Sequence, residues 1–163
     1  IIASYVYLDI MKKEIIPHYG FDKLKLGISE NQVESILGKA TNILNESYVV
    51  DSQDKILNYQ SIGVDFVFSS DDEFLLGAIT FNSADFTLKK EKLIGLNESD
   101  FIGKISELNI LDLNLEDDFM ELNSKDYYSD LNGLSFWIQD GIVDSITLFP
   151  KYESDDETPI WPN

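Results

Sequence analysis

The chemistry this sequence most readily offers is that of carboxylates. The 163 residues include no cysteine and one histidine, and all 12 cationic side chains are lysine. Without cysteine there is no thiolate nucleophile and no disulfide, and a single imidazole is a poor foundation for zinc. His18 lies between Pro17 and Tyr19, at the mouth of a turn, where a surface imidazole is expected rather than the base of a nucleophilic triad. The acids are concentrated. Asp71-Asp72-Glu73, Glu116-Asp117-Asp118 and Asp155-Asp156-Glu157 each place three carboxylates in a row. None has the alternating ligand spacing and glycine of a calcium loop, so neither a metal nor another cofactor is expected. Paired carboxylates can drive glycoside hydrolysis, but every loop is acidic and no pair stands out. A carboxylate-dependent hydrolase is therefore the third reading, and a non-catalytic protein the first.

Thirty acids against 12 lysines leave a net charge of −18. With no arginine the chain lacks a bidentate clamp for phosphate. Nucleic acid and anionic membrane surfaces are both repelled, and neither is expected as a partner. A cationic protein is attracted, and its association is accelerated at low salt. The charge is uneven: residues 24–90 hold five lysines and ten acids, residues 91–152 four and thirteen, and residues 153–163 no lysine and four acids. A basic partner should lean on the second half.

The elements that hold these groups come from a duplication. Gly27-Ile28-Ser29-Glu30 returns as Gly95-Leu96-Asn97-Glu98, Gly63-Val64-Asp65-Phe66 as Gly133-Leu134-Ser135-Phe136, and Ala78-Ile79-Thr80-Phe81 as Ser145-Ile146-Thr147-Leu148. A repeat of that period defines the architecture. The chain divides into an N-terminal segment (1–23), a first repeat (24–90), a second repeat (91–152) and an acidic tail (153–163). Ile1–Ile10 has neither the basic flank nor the cleavage site of a secretory leader. Met11-Lys12-Lys13-Glu14 reads as a natural start, which would make residues 1–10 non-native or an alternative start. Those ten residues fit strand and helix equally. No apolar run approaches the roughly 20 residues that span a bilayer, and the absence of cysteine fits a reducing compartment, so a cytoplasmic protein is expected.

Each repeat reads as one helix laid on an antiparallel meander, an α+β fold of two tandem units with a helix packed on one face of a sheet. Ser29 with Gln32 forms a capping box, and Asn97 caps the second helix, which carries Phe101, Ile105 and Leu108. Strands are expected at 46–50, 55–60, 63–69 and 75–82, then at 111–115, 119–122, 127–131, 133–139 and 142–149. Period-two alternation puts Val64, Phe66 and Phe68 under a helix with Leu134, Phe136 and Ile138. The opposite face receives Asp65, Val67 and Thr80, then Ser135, Trp137, Gln139, Thr147 and Phe149. Trp137 and Phe149 are either covered by the N-terminal segment or form an apolar centre with an acidic rim, the anatomy of a protein-binding hot spot. The residues expected to meet a partner are Asp65, the runs Asp71-Asp72-Glu73 and Glu116-Asp117-Asp118 at hairpin tips or strand ends, Asp126, Tyr127, Tyr128, Trp137 and Phe149.

The stretch Leu26-Gly27-Ile28-Ser29-Glu30-Asn31-Gln32-Val33-Glu34-Ser35-Ile36-Leu37-Gly38 resembles the opening of domains in the SmpA/OmlA family of outer-membrane assembly lipoproteins. The doubled form is similar to the beta-lactamase-inhibitor-protein family, in which tandem helix-plus-sheet units present concave faces to an enzyme. The second copy lacks the closing Leu-Gly, and the chain has neither a lipid-anchor cysteine nor the inhibitor's disulfides. As an acidic, cysteine-free version it resembles bacterial immunity proteins. That resemblance implies a non-catalytic inhibitor whose partner is a basic toxin domain, such as a nuclease. The alternative is a structural or envelope-assembly module.

Overall fold

The helix starts form as the capping residues dictate. The Ser29 hydroxyl accepts the Gln32 amide at 3.3 Å, and the Gln32 side chain accepts the Ser29 amide at 2.8 Å. Asn97 Oδ1 accepts the Asp100 amide at 2.9 Å. In the computed structural model, which describes residues 2–49 and 51–163, the elements run in a repeating order. First come α1 (Ile2–Ile10), β1 (Glu14–Ile15), the hairpin β2 (Gly20–Phe21) and β3 (Leu24–Lys25), and α2 (Glu30–Leu37). The first meander is β4 (Asn42–Val49), β5 (Ser52–Tyr59), β6 (Val64–Ser69) and β7 (Leu76–Phe81). A second short hairpin, β8 (Thr87–Leu88) and β9 (Glu91–Lys92), leads into α3 (Glu98–Glu107). The second meander is β10 (Asn114–Phe119), β11 (Ser124–Ser129), β12 (Leu134–Gln139) and β13 (Ile142–Leu148), and β14 (Lys151–Tyr152) with β15 (Pro159–Ile160) closes the chain. The protein is α+β, with α2 and α3 each packed on an antiparallel meander.

The two meanders are one sheet. Its order is β10-β11-β12-β13-β7-β6-β5-β4, so the last strands of the two repeats meet at the centre. There Phe81 faces Ile146, Thr80 faces Thr147 and Ile79 faces Leu148. These are the matched blocks of the duplication, paired head to tail about a local twofold through Thr80 and Thr147, whose hydroxyls lie 3.0 Å apart. Because directly paired residues share a face, both helices cover the same side. Val33 and Leu37 of α2 and Phe101 and Ile105 of α3 are buried there over Phe66, Phe68, Ile79, Phe81, Leu134, Phe136, Ile138, Ile146 and Leu148.

The twofold extends to the polar contacts. The first residue of α2 and of α3 is a glutamate held by a lysine of the sheet: Glu30 by Lys55 at 2.6 Å and Glu98 by Lys125 at 2.8 Å. An acid in the first turn also favours the helix dipole. The loops before the helices hook onto the sheet in the same way. The Gly27 amide donates to the Leu76 carbonyl, and the Gly95 amide to the Val143 carbonyl, each at 2.8 Å. A short hairpin with a two-residue connection precedes α2 at Gly20–Lys25 and α3 at Thr87–Lys92. These matching hairpins start four residues before the divisions at 24 and 91.

Three expectations are corrected, and the open choice at the N-terminus resolves as a helix. Residues 2–10 are helical, with Tyr7 and Leu8 partly buried against the core. No strand spans 119–122: β10 ends at Phe119, and Met120–Leu122 make one 3-10 turn closed by Asn123 at φ 49°. Met120 and Leu122 are 84% and 65% exposed, so their apolar character reflects no core face. The stretch 111–115 enters the sheet only at Asn114. The acidic tail is a folded hairpin. The Asp155 carboxylate accepts the Glu157 and Thr158 amides at 2.9 and 2.8 Å and the Thr158 hydroxyl, and these bonds hold its pKa down at about 2. The hairpin brings Trp161 over Gly27, which has φ +87° and where a Cβ would lie 2.9 Å from the indole. Glycine is required there on both counts.

Two measurements test this framework. Replacing one hydroxyl of the seam strands the other, so Thr80→Val and Thr147→Val should each cost about 0.5–1 kcal/mol, and the double variant clearly less than their sum. Additive losses in chemical denaturation would show that the pair contributes nothing to the seam. Glu98 accepts Lys125 and the Tyr127 hydroxyl, and these bonds, led by Lys125, hold its carboxyl below the ordinary glutamate value. A depressed carboxylate contributes stability above its unfolded pKa, and that stability is lost as pH falls through the folded pKa. Glu98→Gln should cost about 1–2 kcal/mol at neutral pH, and the gap to wild type should close below the ordinary glutamate range.

Candidate partner-binding site

On the side away from the helices, sheet register sets out the residues in rows. One row crosses all eight strands through pairs Asn42–Asn58, Asn58–Asp65, Asp65–Thr80, Thr80–Thr147, Thr147–Ser135, Ser135–Tyr128 and Tyr128–Asn114. Much of it satisfies itself. Asn42 Nδ2 donates to Asn58 Oδ1 at 3.0 Å, Asn58 Nδ2 to Asp65 Oδ1 at 2.6 Å, and Asn82 Nδ2 to Asp65 Oδ2 at 3.2 Å. Asp65, expected to meet a partner, is thus engaged by two asparagines, an arrangement that local alternation does not reveal.

Two further rows flank this ladder and are exchanged by the twofold. In the first repeat the row is Leu44, Ile56, Val67 and Ala78. In the second it is Asp117, Asp126, Trp137 and Ser145. One copy is aliphatic, and the other places two acids beside an indole. Trp137 is half-buried, with its ring 5.8 Å from Phe119 and its Nε1 donating to Gln139 at 3.3 Å. Phe149 is half-buried 6.4 Å from the Tyr128 ring. Neither joins the core cluster or packs against it. The N-terminal helix does not cover them, because α1 lies against α2 on the other side.

Beside this face is an acidic groove of about 890 Å³ lined by Asp71, Asp72, Glu73, Leu75, Tyr152, Asp156, Glu157, Thr158, Pro159 and Trp161. Two runs more than 80 residues apart in sequence meet in it, because the 3-10 turn Ser70–Asp72 and the β14–β15 hairpin flank the same opening. Asp71, Asp72 and Tyr152 also border a neighbouring depression with Val67, Ala78 and Phe149, so groove and open face are continuous. The Asp72 carboxylate lies over Gly77, where a Cβ would come within 2.4 Å of Oδ2. Burial, then Asp71 and Asp54, pushes the Asp72 pKa up. Burial and Asp72 do the same to Tyr152.

The remaining expected residues are dispersed. Glu116-Asp117-Asp118 is neither a hairpin tip nor a strand end: it lies within the exposed edge strand β10, and a bulge between Leu115 and Asp117 splits the run. Asp117 faces Asp126, whereas Asp118 faces Lys125 on the helix side. Burial raises the Asp126 pKa, a Ser135 hydrogen bond opposes this, and Asp117 adds to it. Tyr127 is 9% exposed and belongs to the core, with its hydroxyl donating to Glu98 and its ring 5.9 Å from Phe101. It points to the helix side, and Tyr128 to the open side. The sequence reading missed Tyr152, Trp161 and the row through Leu44 and Ile56. The Asp155–Thr158 turn signature, followed by Trp161, was the available sign that the tail folds back.

The site offers carboxylates, aromatic rings and few hydrogen-bond donors. The His18 Nε2–H donates to the Leu131 carbonyl at 3.0 Å, and Nδ1 has no partner among the described residues. No group of three or more histidine or acidic side chains among the described residues is close enough together to hold a metal ion. No helix among them is long and apolar enough to cross a membrane.

No family model and no curated protein matches the chain. Among solved structures it is similar to an extracellular protein containing a SCP domain from Bacillus anthracis, with 8% identity and a TM-score of 0.44. The similarity covers 77% of this chain and 44% of that one, so this chain spans less than half of that protein's length.

A carboxylate whose folded pKa is raised costs stability above that pKa and ceases to do so as it takes up a proton. Asp72→Asn should therefore raise the neutral-pH Tm slightly, by about 1–2 °C, with the advantage vanishing as pH falls through the folded pKa of Asp72. A lower Tm at neutral pH would show that the charge supports the fold.

Proposed function

We propose that this protein is a non-catalytic inhibitor, an immunity protein that binds and neutralises a basic toxin through its acidic surface. The observation that carries this reading is the groove, where Asp71, Asp72, Glu73, Asp156 and Glu157 converge with Tyr152 and Trp161 and no lysine. Like charges brought together by folding repel one another, and a cationic partner relieves that repulsion. A toxin that acts on an anionic substrate such as nucleic acid carries a cationic site of the matching kind. The backbone contact of the sole imidazole supports a non-catalytic role. The absence of cysteine suits a cytoplasmic site of action.

The test is capture from extracts of the source cell, then kinetics with the purified partner. The captured protein should be basic, should arrest growth when expressed alone, and should be silenced by co-expression. Its association rate should fall about tenfold or more between 10 and 150 mM salt. Replacing Asp71, Asp72 and Asp156 with Asn and Glu73 and Glu157 with Gln should lower the rate comparably at low salt. A neutral or acidic partner, or a rate flat in salt, would contradict the proposal.

A further inference from the structure

The two rows exchanged by the local twofold carry information that the acidic clusters do not. Four strands supply Leu44, Ile56, Val67 and Ala78, and the four related strands supply Asp117, Asp126, Trp137 and Ser145. A face used only for solvation would be polar on both sides. Here one side keeps aliphatic groups, with Leu44 50% exposed. On the other, Asp117 faces Asp126 across neighbouring strands, a pairing that destabilises an antiparallel sheet. No ion pair among the described residues involves either aspartate. Trp137 is the next residue of that row, and an indole is the best aromatic surface for a cation.

Resting on the reading that the partner is a basic protein, we propose that its contact is seated on the open sheet face. The occupant is an extended basic segment that lays aliphatic side chains on the Leu44–Ile56–Val67–Ala78 row and sets a guanidinium or ammonium against Trp137, Asp117 and Asp126. Charge complementarity selects this occupant. A second copy of the chain would bring its own −18 against these aspartates, and an acidic segment would add to their repulsion. The geometry sets its length. Val67 and Trp137 are three strand spacings apart, roughly 14 Å, and four residues apart along the strands, roughly 13 Å. The separation of about 20 Å is the reach of some six extended residues. The central ladder between them has much of its own hydrogen bonding satisfied, so the segment crosses it with little desolvation of unpaired groups.

The two tryptophans allow a direct test, since Trp137 is on the open face and Trp161 in the groove. The probe is a blocked nonapeptide with Val-Ile-Val at one end, Arg-Lys-Arg at the other and Ser-Gly-Ser between. In Trp161→Phe, the remaining indole should report saturable binding, and Asp117→Asn with Asp126→Asn should weaken it about tenfold. Val67→Lys should weaken it similarly, and a melting curve checks that this variant folds. Octa-arginine, which lacks the aliphatic end, should bind the open face about tenfold more weakly. A response only from Trp161, seen in Trp137→Phe, would overturn the open-face seat while leaving a basic partner in place. Silence from both indoles would overturn both.

Discussion

The pairing of β7 with β13 is the constraint on which the rest of the structure depends. Three residue pairs join two four-stranded meanders into one sheet about a local twofold at Thr80 and Thr147. The seam leaves only β4 and β10 as outer edges, and it puts both helices on one side, so the other side is a single uncovered surface. Two units that closed separately would each present a small face. Joined, they present a ladder eight strands wide with rows on either side of it. The acidic edge β10, with its bulge, carries the charges that discourage unwanted strand addition.

Duplication followed by divergence accounts for what is conserved between the halves and what is not. The helix-side residues, the paired ion bridges Glu30–Lys55 and Glu98–Lys125, and the loop-to-sheet hydrogen bonds recur in both. These features hold the fold, and changing one would cost core packing or leave a buried group unpaired. The open face is free of that requirement. Leu44, Ile56 and Val67 in one copy stand where Asp117, Asp126 and Trp137 stand in the other. Raised pKa values at Asp72 and Asp126, both led by burial, mark places where folding holds carboxylates against their electrostatic preference.

Much of this was legible from residue order, because the signals were local. Ser29 with Gln32, Asn97 with Asp100, and the alternation through Val64–Phe68 and Leu134–Ile138 fix helices and faces within a few residues of chain. What was not legible depended on distant pairing. Nothing near Thr80 announces Thr147 as its neighbour. Asp65 reads as a free acid until β5 and β7 bring Asn58 and Asn82 to it. Tyr127 and Tyr128 look interchangeable in sequence, and only the register with β12 sends one into the core and the other to the open face. The groove needed the last hairpin, whose acidic composition masks a turn built on Asp155 and anchored by Trp161 over Gly27.

The central claim is that a partner sits on the open face and its acidic groove, with the helices turned away. Hydroxyl-radical footprinting of the purified complex addresses it most directly, because it reads side chains. The account predicts that Trp137, Phe149, Tyr152 and Trp161 lose reactivity on binding, while Ile102 on the exposed side of α3 and Ile10 at the end of α1 do not change. Protection of Ile102 and Ile10, with the four aromatic residues unaffected, would contradict it.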